Sequence, residues 1–389
     1  MTAPVFILAG EPSGDQIAAH LMQAINHYDA DTKWMGVGGP LMQKAGLQTL
    51  TDMEALSIIG FGSALRAYGK LSRLADNLVE AVMTTRPRLV LTIDAKGFSQ
   101  RFARRLRRRM KAVGWSAPIV HCVAPTVWAW GRWRAKTFAR DFDGLLCLFP
   151  FEPAYFPTLG LDAKFIGHPE AFMPIEKSSG KKTGHITILP GSRRREIQLL
   201  LPIMLRAANL LQQRYPGLKF TLPAVPQLKT LISEMVEDFT AETKTNTNNG
   251  PDVKIIDAAT GLNKALATST AMMAASGTVT LQTALYAVPG IACYRMGAFS
   301  AFIGRRLVNM DQVILPNAIL GRQLYAFLFQ QQVTEQGLAD ALGKVIDDPA
   351  AANTARNAAN ELRAILTGDN SSFADLAISA LQPWLNRKA

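Results

Sequence analysis

Residues 5–15 read VFILAGEPSGD. The apolar run Val5–Leu8 breaks into a turn holding Gly10, Gly14 and two carboxylates, Glu11 and Asp15. A buried strand that feeds a glycine-bearing turn and then a helix opens a Rossmann-like unit. Such turns commonly cradle phosphate with bare backbone N–H groups, and a carboxylate there would repel the anion. The first turn therefore has the form of a nucleotide site and the wrong charge for one.

Outward from that stretch, the same strand–helix alternation continues. Apolar runs at 33–39, 88–94, 118–125, 144–151 and 164–169 read as strands, with amphipathic helices at 14–27, 64–84 and 99–113 between them. Continuously apolar strands alternating with helices specify a parallel sheet covered on both faces. The pattern starts over at HITILPGSR (185–193), after the polar, linker-like EKSSGKKTG (176–184). Further strands follow at 218–226, 253–257, 271–276 and 289–296, with a helix to about 240 and a loop at 243–252. From about 336 the chain is helical, and Ser372 and Asp375 form a capping box before the last helix. The expected fold is α/β: two tandem, doubly wound, Rossmann-like domains with a deep cleft between them. Ligands of such sheets bind outside the carboxyl ends of the strands.

Composition sets limits on function. The 389 residues exceed one ordinary core, and 48% are hydrophobic. Cys122, Cys147 and Cys293 lie far apart, which argues for a reducing compartment and against a zinc or disulfide framework. No basic segment precedes the first apolar run, so no signal peptide is expected, and no stretch reads as membrane-spanning. The net charge is +12, with seven cations in RFARRLRRRMK (101–111). That run reads as a solvated helix face, an anionic membrane surface or a contact for a phosphorylated ligand. No nucleic-acid-binding motif accompanies it, so no nucleic-acid partner is expected.

Two turns of the second half suit a diphosphate. In LPGSRRREI (189–197), Gly191 and Ser192 offer backbone N–H groups and Arg193 a guanidinium fork. In ASGTVTLQTAL (275–285), Ser276, Gly277 and Thr278 precede a helix. Neither turn fits the dinucleotide or P-loop fingerprints, which argues against a dehydrogenase or a P-loop enzyme. Three tryptophans in VAPTVWAWGRWR (123–134), the stretch FPFEPAYF (149–156) and His168 read as structural.

The stretches AGEPSGD, GVGGPLM, VAPTVWAW, FPFEPAYF, FIGHP, LPGSR, ASGTVTL, YRM and LPN occur in that order along the chain. In this ordered set the chain resembles the lipid-A-disaccharide synthases, inverting glycosyltransferases of the GT-B fold. The resemblance implies transfer of a sugar from UDP-2,3-diacylglucosamine to 2,3-diacylglucosamine 1-phosphate. It implies no cofactor and no metal, and a protein that is cytoplasmic and peripheral on the inner face of the bacterial inner membrane. Its partners would be an anionic membrane surface and, as an open alternative, a second copy of the chain. It implies an acceptor-side domain over residues 1–175, a UDP-sugar domain over 176–345, and C-terminal helices at 346–389 that pack back on the first domain. UDP would fall to Gly191, Ser192, Arg193, Ser276, Gly277, Thr278, Gln282 and Asn317, and the acceptor side to Asp15 and Gly97. Asp15 is also suited to neighbouring N–H groups or to the charge of a helix start. The segment 56–74, with Ile58, Ile59, Phe61, Arg66, Lys70 and Arg73, reads as a membrane dock or as a core-facing helix pair.

Three acids usual in that family are replaced here, at Gly97, Gln282 and Phe327. Asp94 and Glu11 remain as candidates for the general base. The alternative is an attenuated or non-catalytic descendant that binds UDP-sugar or a lipid precursor, and a weaker rival is a UDP-sugar epimerase.

Overall fold

The structure, a computed structural model, describes residues 3–57, 64–127, 134–156, 160–175, 184–247, 250–295, 313–368, 370 and 372–386. The chain forms two compact units. The first is Met1–Phe172 with Ile365–Ala389, and the second is Met173–Ala364.

The first unit is built on seven parallel strands: β1 (Val5–Ala9), β2 (Trp34–Gly38), β3 (Leu47–Asp52), β4 (Leu89–Ile93), β5 (Ile119–Cys122), β6 (Gly144–Cys147) and β7 (Asp162–Phe165). Their order is β3-β2-β1-β4-β5-β6-β7. Every residue of β1 and β4 is buried, as expected for central strands covered on both faces. One core layer gathers Phe6, Val90, Phe102, Leu106, Phe138 and Phe156 between the sheet and its helices. The final helix, Phe373–Leu385, packs on the helix Pro12–Tyr28, and the Ser372 hydroxyl accepts from the Asp375 N–H at its start.

The second unit repeats the plan with six parallel strands: β8 (His185–Leu189), β9 (Lys219–Ala224), β10 (Val253–Asp257), β11 (Ala271–Ala275), β12 (Gly290–Tyr294) and β13 (Ala326–Phe329). Their order is β10-β9-β8-β11-β12-β13. The long helix Arg194–Arg214 buries Ile197, Leu201, Met204, Leu205, Ala208 and Leu211, a stripe at helical spacing laid against Ile186, Phe220 and Met273.

In each sheet the strand order reverses once, between β1 and β4 in the first and between β8 and β11 in the second. Parallel strands on either side of a reversal send their following helices to opposite faces, and a crevice opens at their carboxyl ends. Glu11, Asp94 and Gly97 follow the strands of the first reversal, and Gly191–Arg193 and Ser276–Thr278 those of the second.

Three differences from the sequence reading concern elements. β3 and β13 are strands that periodicity did not mark. The helix Lys229–Thr247 runs into the stretch 243–252 expected to be loop. The basic run, read as a solvated face, an anionic membrane surface or a contact for a phosphorylated ligand, lies in the helix Lys96–Ala112, and four of its seven cations pair with acids of the same unit. Arg104 pairs with Asp141, Arg105 with Asp76, Arg107 with Asp143 and Arg109 with Glu80.

Candidate functional site

At the first reversal, β1 ends in Gly10 and Glu11, and β4 ends in Asp94. The two turns touch. A Cβ built on Gly10 would lie 3.0 Å from that of Ala95, and one on Gly14 would lie 3.9 Å from that of Asp94. Larger residues at 10 would separate the strand ends. Asp94 and Ala95 both adopt left-handed backbone conformations, with φ of 49° and 43°. Such conformations cost free energy in residues that carry a Cβ, and they persist where the surroundings impose them. Here the Asp94 N–H donates to the Cys122 carbonyl at 3.0 Å, and the Ser99 hydroxyl donates to the Asp94 carbonyl at 2.9 Å. The Asp94 carboxylate is about one-fifth exposed and pairs with the Lys96 ammonium at 2.8 Å. Lys96 escaped the sequence reading as a partner of Asp94; the signal was the i, i+2 spacing of opposite charges across a turn.

Beneath Asp94 the sheet carries a buried polar pair, Thr92 Oγ1 and His121 Nδ1, 2.7 Å apart. Burial, with the Lys96 charge adding to it, pushes the His121 pKa down to about 3, so the imidazole is neutral at ordinary pH. Phe138 and Phe142 flank the ring, each centroid 4.9 Å away. His121 lies beneath the turn, packed between aromatic rings.

Glu11 stands at the start of the helix Pro12–Tyr28 in extended conformation, partly exposed. Asp15, four residues on, is 3% exposed. Of the roles open to Asp15, the structure shows the one with neighbouring N–H groups. Its Oδ1 accepts from Gly39 at 2.8 Å and Met42 at 3.1 Å, and its Oδ2 from Leu41 at 3.1 Å. The carboxylate thus caps the short helix Pro40–Lys44 and binds the turn after β2 to the turn after β1. As a contact for an acceptor sugar it is already committed elsewhere. Gly97 lies in the first turn of the helix Lys96–Ala112, exposed, and a Cβ there would meet nothing within 4 Å.

At the second reversal, the turn after β8 carries Gly191 at φ +110°, then exposed Ser192 and Arg193. Arg193 precedes the helix Arg194–Arg214 and pairs with Glu196 at 3.6 Å, its own side chain 65% exposed. The turn after β11 presents exposed Gly277 and Thr278 ahead of the helix Val279–Leu285. The Ser276 N–H donates to the Cys293 carbonyl at 2.9 Å, so that donor belongs to the sheet. Gln282 is partly exposed, with its Nε2 donating to Asn263 Oδ1 at 3.0 Å. The two turns follow adjacent strands and supply the Arg193 guanidinium, the hydroxyls of Ser192, Ser276 and Thr278, and the glycines Gly191 and Gly277.

Asn317, expected with the nucleotide ligands, has its amide engaged elsewhere. It is 7% exposed, its Oδ1 accepts from the Leu324 and Tyr325 N–H groups, and its Nδ2 donates to the Tyr325 carbonyl. This clamp fixes the approach to β13, and the buried Tyr325 hydroxyl completes it by donating to the Val288 carbonyl.

The two structural motifs of the first unit fit their reading. Glu152 is buried and accepts from the Leu148 and Phe149 N–H groups at 3.1 and 3.0 Å. His168 is buried beside Phe149, with its pKa pushed down by burial to about 4. Trp128, Trp130 and Trp133 lie outside the described residues, as do Ile58, Ile59, Phe61 and the side chain of Arg66; Lys70 and Arg73 are exposed. Among the described residues no helix is long and apolar enough to cross a membrane.

Comparison with known proteins shows the family of the chain. The lipid-A-disaccharide synthetase family profile matches residues 5–379. A lipid-A-disaccharide synthase of Rhodospirillum centenum is 37% identical over 358 residues, covering 89% of this chain and 86% of that protein. Among solved structures, the S. aureus MnaA–UDP co-structure superposes with a TM-score of 0.65 at 12% identity, covering 99% of this chain and 97% of that one. The glycotransferase of kitacinnamycin superposes with a TM-score of 0.61 at 13% identity, covering 99% and 100%. At such identity the structural likenesses show the fold alone, the two-sheet GT-B architecture. The sequence matches are closer, span nearly the whole length and carry the activity: the chain belongs to the lipid-A-disaccharide synthetase family, enzymes of glycosyl transfer in lipid A biosynthesis.

Proposed function

We propose that the chain transfers 2,3-diacylglucosamine from UDP to 2,3-diacylglucosamine 1-phosphate, releasing the acylated disaccharide 1-phosphate and UDP. The observation that carries this reading is the sorting of charge between the two strand-order reversals: carboxylates at the first, a guanidinium and hydroxyls at the second. The first suits an acceptor hydroxyl that must lose a proton, and the second a diphosphate that leaves with negative charge.

In this reading the Asp94 carboxylate takes the proton of the acceptor hydroxyl. That oxygen attacks the anomeric carbon of the donor, and the bond from this carbon to the diphosphate breaks with its electron pair going to UDP. Attack from the opposite side inverts the anomeric centre. Arg193 offsets the charge that develops on the leaving diphosphate, with Ser192 and Thr278 beside it, and Glu11 accepts from an acceptor hydroxyl. Asp94→Asn tests the assignment, since asparagine tolerates the left-handed backbone. It should fold, bind UDP as the wild type does, and lose at least about 10²-fold in turnover. Turnover within threefold of wild type would remove Asp94 from the chemistry.

Both proposed substrates carry acyl chains, and each buried methylene is worth about 0.8 kcal/mol, so they stay in a bilayer. The protein would meet them as a peripheral protein on the cytoplasmic, anionic face. Because much of the 101–111 run is paired internally, the surface contact falls mainly to residues 56–74, with exposed Lys70 and Arg73 among them. Sedimentation with vesicles containing anionic lipid should show binding that weakens with salt. Binding indifferent to lipid charge and salt would exclude an electrostatic dock. A second copy of the chain is the other partner proposed.

A further inference from the structure

The turn after β8 carries three successive arginines, Arg193–Arg195, and then an acid, Glu196. A carboxylate has the wrong charge to sit beside a diphosphate, so its placement needs a reason. Glu196 occupies the third position of its helix, where the partial positive charge of the helix start favours a carboxylate. Its side chain, however, packs inward against the turn. It is 18% exposed against 65% for Arg193. A Cβ on Gly191 would lie 2.6 Å from its Oε2 and 3.0 Å from its Cβ, so the carboxylate lies directly against the Gly191 backbone. The same carboxylate reaches the Arg193 guanidinium at 3.6 Å. Tyr294 ends β12, which β11 separates from β8, and it feels the charges of this turn. Burial and the Glu196 charge push its phenol upward, while Arg193 and Arg195 oppose them.

We propose that Glu196 is a positioning residue of the diphosphate site. It lies against the glycine of the turn and holds the Arg193 guanidinium beside the turn by charge. The inference rests on the reading of Arg193 as a diphosphate contact. Glu196 touches no reacting atom. The carboxylate draws the guanidinium toward the turn by charge and limits the directions its fork can take. A merely structural acid at a helix start would support the fold and leave ligand affinity alone.

Titration calorimetry with UDP on the full chain separates these roles. Arg193→Ala should weaken UDP roughly 10- to 100-fold, as for loss of a charge-assisted hydrogen bond. Glu196→Gln keeps the shape and removes the charge, and should weaken UDP about 3- to 5-fold, the range of a partly exposed ion pair. The double variant should bind no more weakly than Arg193→Ala alone, because the group being positioned is gone. Glu196→Asp keeps the helix-start charge with a shorter reach, and should show the same loss as Glu196→Gln. Wild-type affinity in both Glu196 variants, with Arg193→Ala weakened, overturns the proposal and leaves the Arg193 reading standing. So do losses that multiply in the double variant. Unchanged affinity in Arg193→Ala overturns both.

Discussion

Glu11 and Asp15 stand four residues apart in one turn, and the fold gives them different work. Three backbone N–H groups from residues 39–42 converge on Asp15, so its removal leaves buried donors without an acceptor. Asp15→Ala should cost about 3 kcal/mol in urea denaturation, the upper range for hydrogen bonds to a charged group. Glu11→Gln should stay within about 0.5 kcal/mol of wild type while lowering turnover. A large loss of stability in Glu11→Gln, or none in Asp15→Ala, would reverse the assignment. Nothing in the stretch AGEPSGD distinguishes the two acids, because the donors that claim Asp15 arrive from the turn and short helix after the next strand. Gly97 is the opposite case, since the structure removes the obstacles to a side chain there. It is helical, exposed and unobstructed, and an aspartate in a first helical turn is favoured. Gly97→Asp should keep wild-type stability within about 0.5 kcal/mol and raise turnover, measured as UDP released. A fall in turnover at unchanged stability would show that a second acid there hinders the reaction.

The elements that periodicity missed are both edge strands. β3 has mostly exposed residues and β13 mostly half-buried ones, so neither shows the continuous apolar run that marks a strand covered on both faces. The central strands and their turns were legible because burial on both faces leaves that signature. The basic helix illustrates another limit: seven cations in eleven positions look like an unpaired surface until the partners are known, and those lie 20 to 40 residues away in sequence. Asp141, 2% exposed, receives Arg104 Nε at 2.8 Å on both oxygens and Gln100 at 3.1 Å. Hydrogen bonding to Asp141 also holds the Arg104 pKa up. Asp141→Asn should therefore cost about 1.5–3 kcal/mol in denaturant unfolding. Arg109→Ala, which breaks an exposed pair with Glu80, should cost less than about 1 kcal/mol. Equal costs would mean that the helix is held by its apolar stripe alone.

At the scale of the whole molecule, stability and activity make separate demands. His121 and His168 are buried and neutral, with pKa values pushed down to about 3 and about 4. Below the ordinary histidine value of about 6.5, the unfolded chain binds protons that the folded chain refuses. Stability is therefore full above about pH 6.5 and falls as the pH drops toward 4. Together the two histidines should remove about 3–4 kcal/mol between pH 7 and pH 5, read from urea midpoints. His121→Gln should recover about half of that slope, and an unchanged slope would place the acid sensitivity elsewhere. For activity, both strand-order reversals lay where the sequence put its glycine-bearing turns, because a doubly wound sheet places its ligand turns at the ends of its central strands. The most direct measurement supplies the purified protein with UDP-2,3-diacylglucosamine and 2,3-diacylglucosamine 1-phosphate in detergent or vesicles, and follows UDP and lipid product together. UDP and acylated disaccharide 1-phosphate should appear in equal amounts, with no UDP released when the acceptor is left out. Tight binding of the UDP-sugar with no disaccharide formed would contradict it.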